Sequence, residues 1–305
     1  MNGSTNKTFH KMVAIEPTRL PAAWDEHLKE FAKDAVFYED SPKEEAEIIR
    51  RIGDADCAML SIGSFINEKV INACPNLKYI GMCCSLYGRE SANVDIDCAE
   101  KKGIVVTGVR DYGDAGVAEY VVSELVRLLH GRGNVMWKEE PTELTDLKIG
   151  IVGMGTVGTL LAHTLDFFNA NIFYFSRSRK EELEEKNGYA YLPLDVLLER
   201  VDILITCLNK NVVLLGEREF EQFGSGKILI NTSISPSHEI PALKTWLQNP
   251  ENYALSDTLA GLGAEIASSE NAFYGSRSAG LTSLAKERLG QKVIENIKKY
   301  NASLK

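Results

Sequence analysis

The sequence lacks the features of several protein classes. None of its apolar runs approaches the roughly 18–20 residues that a membrane-spanning helix needs. The first residues, MNGSTNKT, have no apolar stretch of the kind found in a secretion signal, and we expect them to form a disordered tail. Positive charge is outnumbered, with 34 Lys and Arg against 43 Asp and Glu and a net charge of -9, and an acidic surface repels nucleic-acid phosphates. We therefore expect a cytoplasmic protein that binds neither membrane nor nucleic acid.

Patterns of metal binding are missing as well. The six cysteines show no CxxC pair and no zinc-type spacing with histidine, and the five histidines are scattered along the chain. Most of the cysteines lie in or beside apolar segments, which favours reduced and buried thiols. We interpret the neighbouring Cys83 and Cys84 as the buried end of a strand rather than a redox pair, and we expect no metal.

What the sequence does contain is an alternation of short apolar runs with amphipathic helical patterns. The chain has 305 residues, of which 44% are hydrophobic, which is enough for two domains with their own cores. Alternating strands and helices predict an α/β fold with parallel, doubly wound sheets. The predicted strands are 11–16, 34–39, 56–61, 78–84 and 103–108, then 147–153, 170–176, 201–208, 227–233 and 251–257.

Two further helical patterns stand apart from this alternation. An apolar helix is predicted at 115–131, followed by a polar linker that separates the two strand series. A last helix is predicted at 281–300, with no strand after it. This helix can return to the first domain.

The most specific pattern is a glycine turn, GMGTVG (153–158), between an apolar strand and an amphipathic helix. In a dinucleotide-binding turn the first glycine permits the bend, the second lets the backbone approach a pyrophosphate, and the third lets helix and strand pack closely. The free N–H groups of the helix then face the anion. We predict that Gly153, Gly155, Thr156, Val157 and Gly158 bind a dinucleotide. The alternative is a turn that only joins strand to helix.

A basic cluster follows the next strand. Proteins that bind the free ribose 2′-hydroxyl of NAD usually place Asp or Glu about 20 residues past the glycines. Here Ser176, Arg177, Ser178, Arg179 and Lys180 stand instead, with no carboxylate among them. Cations and hydroxyls suit a 2′-phosphate, so the cluster predicts NADP(H) in preference to NAD(H). A solvated basic start to the following helix is the alternative.

With these motifs the sequence resembles the D-isomer-specific 2-hydroxyacid dehydrogenases over nearly its whole length. GIVVTGVRDYGDAGVAE (103–119) is similar to the family's crossover between domains, and residues 207–247 follow its third segment. GMGTVG followed by SRSRK is similar to the NADP-using glyoxylate/hydroxypyruvate reductase branch. NAFYGSRSAGLT (271–282) resembles the motif that closes the family's second domain.

The resemblance implies two doubly wound domains with an active-site cleft between them, and a homodimer. A flavodoxin-like substrate domain is expected from residues 1–112 and 281–305, and a Rossmann NADP-binding domain from 113–280. The resemblance also places Asp257 near the nicotinamide. We assign three more residues to the cofactor site: Cys207, Leu208 and Ser233.

The resemblance further implies a catalytic arginine, glutamate and histidine, and this chain departs from all three. The matching positions hold Ile234, Ala260 and Arg277. Arginine stays protonated at any ordinary pH and cannot serve as the acid, but Arg277 can bind a substrate carboxylate. His238 is a candidate proton donor. The alternative interpretation is a histidine that caps a helix or lies on the surface. Tyr274 is expected to pack at a strand end.

The loop CCSLYGRESANVDID (83–97) is longer than the family's usual glycine-rich substrate loop. It carries Tyr87 and Arg89, and we predict that Arg89 enters the cleft and holds the substrate. A solvated loop arginine is an equal alternative.

Two functions remain open on the sequence alone. One is an NADPH-dependent oxidoreductase that acts on a small 2-oxo acid or a related carbonyl through an atypical site. The other is a catalytically silent dinucleotide-binding protein with a sensor or assembly role. The arginines favour the first, because an unpaired buried cation is costly and a small anionic substrate or ligand would compensate it.

Overall fold

The computed structural model describes residues 7–304, so most of the predicted tail lies outside the described residues. The chain forms two compact units. The first contains the described residues up to Tyr112 together with those from Thr282 onward, and the second runs from Gly113 to Leu281. No helix within residues 7–304 combines the length and the apolar character needed to cross a bilayer.

All ten predicted strands have a counterpart in the structure, and two short strands add to them. The strands are β1 (Phe9–Ala14), β2 (Ala32–Phe37), β3 (Cys57–Leu60), β4 (Tyr79–Ser85), β5 (Val105–Val109), β6 (Lys148–Val152), β7 (Asn171–Phe175), β8 (Ala190–Tyr191), β9 (Ile203–Thr206), β10 (Ile228–Asn231), β11 (Tyr253–Ser256) and β12 (Ala272–Tyr274). The helices are α1 (Ala22–Lys29), α2 (Glu45–Ile52), α3 (Glu68–Ala73), α4 (Ile96–Lys101), α5 (Asp114–Leu129), α6 (Thr156–Asp166), α7 (Glu181–Asn187), α8 (Leu194–Arg200), α9 (Glu217–Phe223), α10 (Ile240–Trp246), α11 (Leu259–Leu262) and α12 (Ser283–Ser303).

The first unit is built on a parallel sheet of five strands in the order β2-β1-β3-β4-β5. Val13 of β1 pairs with Val36 on one side and Ala58 on the other. Every residue of β3 is buried, as expected for a central parallel strand covered by helices on both faces. One apolar cluster lies on each face of the sheet.

Helix α12 completes one of these clusters. Leu289, Val293 and Ile297 pack with residues of the first unit's sheet. Three more of its side chains, one turn apart, donate hydrogen bonds to alternate carbonyls of the segment that leaves β5: Asn296 to Gly108, Lys292 to Arg110 and Arg288 to Tyr112. The C-terminal helix therefore belongs to the first unit.

The second unit is built on a parallel sheet of seven strands in the order β12-β11-β10-β9-β6-β7-β8. Chain order reverses between β6 and β9, and ligands of such sheets bind beyond the carboxyl ends of the strands at this reversal. The prediction of an α/β fold with two parallel sheets is confirmed. Strands β8 and β12 went unpredicted because two or three residues are too few to show a periodicity.

Candidate functional site

The three glycines of the turn between β6 and α6 have different surroundings. Gly153 has φ of +102°, and a Cβ there would strike the Cys207 carbonyl oxygen. A Cβ on Gly158 would strike the Gly153 carbonyl oxygen, so its absence lets α6 approach β6 closely. A Cβ on Gly155 would meet no atom within 4 Å apart from its own chain neighbours. The turn is therefore tight on two sides and open at the middle glycine.

The N-terminus of α6 opens at this same place. Gly155 is the N-cap residue, no side chain caps the helix, and its first turn contains no acidic residue. The first N–H groups of a helix have no partner within the helix and carry a partial positive charge. Thr156 and Val157 therefore present their amides where an anion can accept from them.

The predicted basic cluster lies next to the turn, because the Gly153 N–H donates to the Phe175 carbonyl at the end of β7, 2.8 Å away. Ser176 Oγ donates to the Ser178 carbonyl at 2.7 Å and closes the following bend. Arg177 is exposed and makes no hydrogen bond or ion pair with any described residue. It is therefore an arginine of this cluster that remains available to a ligand, as does the Lys180 ammonium, for which the described residues show no ion pair.

Arg179 is not available in the same way, because a carboxylate from outside the cluster binds it. Its Nη2 lies 2.6 Å from Oε2 of Glu184 on α7. The buried Tyr174 donates its hydroxyl to Glu184 Oε1, also at 2.6 Å. Burial, followed by that hydrogen bond, raises the pKa of Tyr174 to about 12. Sequence reasoning missed Glu184 because nothing distinguishes it from the other glutamates of EELEEK.

Cys207, Leu208 and Ser233 meet beside the glycine turn. The Leu208 N–H donates to Ser233 Oγ at 2.9 Å, and Thr232 donates its hydroxyl to Cys207 Sγ at 3.3 Å. Burial raises the pKa of the Cys207 thiol to about 12, so it is neither a nucleophile nor an acid at neutral pH. These residues shape the wall opposite α6.

Asn231, at the end of β10, is a buried residue whose side chain bonds several segments, and its sequence context did not indicate this. Its Oδ1 accepts a hydrogen bond from Thr206 Oγ1 at 2.8 Å. Its Nδ2 donates to the carbonyls of Ser235 at 3.0 Å and Gly261 at 2.7 Å. One side chain thus ties the ends of β9 and β10 to α11.

Asp257, directly after β11, holds the loop that carries Arg277. One of its carboxylate oxygens accepts the Ala279 N–H at 2.7 Å, and Thr258 forms an antiparallel bridge with Ser276. Arg277 is exposed and has no partner among the described residues. Burial, together with the charges of Glu124 and Asp257, raises the pKa of Tyr120 on α5.

No acid stands at the positions matched to the family's catalytic residues. Ile234 is 66% exposed and Ala260 is exposed on α11. The loop 275–280 adds one cation, Arg277, and no titratable acid. Tyr274 ends β12 partly exposed, and its hydroxyl donates to the Ala267 carbonyl at 3.4 Å.

His238 is neither a surface residue nor a cap. It is 1% exposed, and its Nε2–H donates to the Leu262 carbonyl at 3.0 Å. Burial lowers the pKa of the ring. The ring packs edge-on against Phe220, so the structure places His238 in the apolar core of the second unit.

In the first unit, Arg89 already has anionic partners. Its guanidinium binds Asp97 and Glu100, with Nη2 2.8 Å from a Glu100 oxygen. Of the two predictions for Arg89, the exposed loop arginine describes this arrangement better than the substrate clamp. Tyr87 lies against a different cation, Arg110, which is 5.7 Å from the ring centre.

The arrangement in the second unit can bind an anion through backbone amides and two exposed arginines, Arg177 and Arg277. The described residues contain no group of three His, Cys, Asp or Glu side chains that can hold a metal ion, and they form no disulfide. Backbone amides together with two arginines suit a ligand that carries a phosphate or a carboxylate.

Comparison with known proteins gives one family match. The model described as D-isomer specific 2-hydroxyacid dehydrogenase, catalytic domain, matches residues 14–304. A glyoxylate reductase of Korarchaeum cryptofilum is 26% identical over 215 residues, 65% of this chain and 64% of that protein. A hydroxypyruvate reductase of Blautia hydrogenotrophica is 26% identical over 220 residues, and 66% of each chain is covered. The match spans just under two thirds of these relatives.

Solved structures show the same fold. An acyclic imino acid reductase (Bsp5) in complex with NADPH and D-Arg has a TM-score of 0.81 and is 24% identical, with 96% of this chain and 97% of that chain covered. The apo-structure of D-lactate dehydrogenase from Escherichia coli has a TM-score of 0.76 at 19% identity, with the same coverage.

Proposed function

The chain belongs to the D-isomer specific 2-hydroxyacid dehydrogenase family, and on that premise we propose that it is an NADPH-dependent oxidoreductase for a small 2-oxo acid or a related carbonyl. Members of the family use NAD(H) or NADP(H) and bind small 2-oxo acids. We assign the second unit to the dinucleotide and the first unit to the substrate, and we propose a homodimer.

The observation that carries the proposal is the glycine turn. Gly153 and Gly158 sit where no side chain fits, whereas Gly155 faces open space. A turn that only joined strand to helix would require the two tight glycines and not the open one. A pyrophosphate that approaches the backbone at Gly155 explains all three.

Arg177 supports the preference for NADPH. An exposed arginine with no internal partner lies just beyond the strand end where an NAD-specific protein would carry a carboxylate. A charge-assisted hydrogen bond contributes about 1.5–3 kcal/mol, which corresponds to tenfold or more in affinity.

Arg277 is proposed to bind the substrate carboxylate. Its loop is tied to Asp257 and to Thr258 at the end of β11, and its guanidinium is free to make a bidentate contact. The bound cofactor supplies the hydride. Arg277 supplies charge and orientation but no proton, because its pKa stays far above neutrality.

The absence of an acid at residues 234, 260 and 277 affects which substrates the protein can reduce. A ketone must gain a proton as the hydride arrives, and loss of a general acid typically costs about 10²–10⁴ in rate. A protonated imine already carries that proton, so its reduction requires no acid from the protein. One similar fold is an acyclic imino acid reductase, and an imino acid therefore belongs in the substrate panel.

The first test measures NADPH oxidation with glyoxylate, hydroxypyruvate, pyruvate, an aromatic 2-oxo acid and an imino acid. We expect turnover with at least one of them, and Arg277→Ala should raise the KM for that substrate about tenfold or more. Ser278→Ala, in the same exposed loop, is the matched control and should leave KM unchanged. An absence of turnover across the panel would refute the proposed activity.

The second candidate is a dinucleotide-binding protein without catalysis. The exposed Ile234 favours it, because an apolar side chain at that position gives a substrate carboxylate no partner. Tight binding of NADPH without turnover, and no activity in the double variant Ile234→Arg with Arg277→His, would support this candidate. Turnover by the unmodified protein would exclude it.

A further inference from the structure

Arg177 and Arg179 stand two residues apart in sequence but differ in charge environment. Glu184 accepts two hydrogen bonds from Arg179 Nε, at 2.9 and 3.0 Å, and one from Nη2 at 2.6 Å. The guanidinium thus uses one whole edge on an internal carboxylate, and only Nη1 faces away. Arg177 has no such partner among residues 7–304.

Glu184 is held from a second side. The side chain of Glu184 is 15% exposed, against 59% for Arg179. The fully buried Tyr174 donates to Glu184 at 2.6 Å and accepts the Lys180 N–H at 2.7 Å. Tyr174 therefore holds both the carboxylate of Glu184 and the backbone of the basic loop, which favours the ion pair with Arg179.

The pair has consequences for a 2′-phosphate. The phosphate competes with Glu184 for Arg179 and is repelled by the same carboxylate. Arg179 and Glu184 together present about zero net charge, whereas Arg177 presents a full positive charge. A second partner of Arg179, the Tyr191 ring 6.0 Å away, adds no charge.

We propose that Glu184 is a specificity-determining residue for the cofactor, because it holds Arg179 in an internal ion pair and leaves Arg177 as the arginine of the cluster that discriminates NADPH from NADH. The preference for NADPH over NADH is therefore smaller than it would be if both Arg177 and Arg179 were available to the 2′-phosphate. This inference rests on the proposed binding of NADPH by the second unit.

The experiment measures the dissociation constants of NADPH and NADH for a set of variants by calorimetry. Glu184→Gln keeps the size of the side chain and an acceptor for Tyr174 but removes the charge. We expect it to raise the ratio of NADPH to NADH affinity about tenfold, by releasing Arg179. Glu182→Gln, on the same helix and in an ion pair with Lys186 at 2.6 Å, is the matched control and should leave the ratio unchanged.

Two more variants separate the arginines. The double variant Arg179→Ala with Glu184→Gln replaces an ion pair of zero net charge by two uncharged side chains. Its ratio of NADPH to NADH affinity should stay within about threefold of that of the unmodified protein. Arg177→Ala should lower the ratio about tenfold or more.

The inference is overturned if the double variant loses as much selectivity as Arg177→Ala, or if Glu184→Gln does not raise the ratio. Arg177→Ala leaves Glu184 and Tyr174 untouched, so its comparison with Arg179→Ala keeps the test decisive if Glu184→Gln fails to fold. Both ratios are measured in high salt, which screens the repulsion by the Glu184 charge that Arg179→Ala exposes. Equal losses under that condition also refute the inference. Failure of the unmodified protein to bind either dinucleotide is a different outcome, which refutes the proposed function itself.

Discussion

Two glycines of the turn have different roles: Gly153 is needed for the fold, and Gly155 is proposed to be needed for binding. Gly153 combines a positive φ with contact against the Cys207 carbonyl, and both features concern the fold. Gly155 has extended backbone, with φ of -86°, and a Cβ placed on it would meet no atom within 4 Å apart from its chain neighbours. A methyl group at the two positions therefore has different consequences.

We predict that Gly153→Ala lowers the free energy of unfolding by about 1–3 kcal/mol, because a side chain is strained there. Gly155→Ala should leave stability unchanged but weaken NADPH binding about tenfold or more, because the Cβ occupies the approach of the pyrophosphate. Urea unfolding and calorimetric titration of each variant measure the two effects. Equal NADPH affinity in Gly155→Ala and the unmodified protein would contradict the proposed cofactor site.

Residue type alone did not fix the role of several other residues. A histidine four residues past Ile234 suggested a donor, a cap or a surface residue, and the structure buries it against Phe220. An arginine in a long loop suggested a clamp, and the structure pairs Arg89 with Glu100. Both outcomes depend on which groups lie nearby in three dimensions, and a residue's own type does not encode that.

At the scale of secondary-structure elements, the carboxyl ends of β9, β10 and β11 are joined by buried polar side chains. Asn231 bonds Thr206, the loop after β10 and the Gly261 carbonyl. The same loop carries Ser233 and Ile234. The position of these residues in the candidate site therefore depends on one amide.

We predict that Asn231→Ala lowers the free energy of unfolding by about 1–3 kcal/mol, because buried partners lose their hydrogen bonds. NADPH affinity should fall with it, since Ser233 and the Leu208 amide lose their fixed geometry. Thermal unfolding and NADPH titration provide the two measurements. Asn209→Ala, in an adjacent loop, is the comparison, and an effect of equal size there would contradict the special role of Asn231.

Most elements could be predicted because their signals are local. A parallel strand buried on both faces appears in the sequence as a continuous apolar run, as ILIT and ILIN of β9 and β10 do. Strands β8 and β12 have two and three residues and depend on pairing with β7 and β11. Their existence is decided by the neighbouring strand and not by their own residues.

At the scale of the whole molecule, the C-terminal helix is part of the unit that the N-terminus begins. Helix α12 packs in the cluster with β1, β3 and β4 and places Gly290 against the Trp24 ring. The first unit is therefore assembled from two separate parts of the chain. The second unit has its own clusters on the two faces of its sheet.

We predict that Ile297→Ala, at a fully buried position of α12, lowers the free energy of unfolding of the first unit by about 2–5 kcal/mol. NADPH affinity should be unchanged, because the dinucleotide is assigned to the second unit. Urea unfolding followed by circular dichroism, with a parallel NADPH titration, measures both. Leu304→Ala, at an exposed position near the end of the chain, is the control, and an equal loss of stability there would contradict the prediction.

The sequence by itself determined the two parallel sheets, the family resemblance and the glycine turn. Each is a local pattern: apolar runs set strand burial, and the glycines set a backbone conformation over six residues. Only the tertiary structure decided the partners of the charged groups, namely Glu184 for Arg179, Glu100 for Arg89 and none for Arg177 or Arg277 among the described residues. An ion pair needs two side chains to meet with their directions fixed, and that geometry exists only once the helices have packed on the sheet.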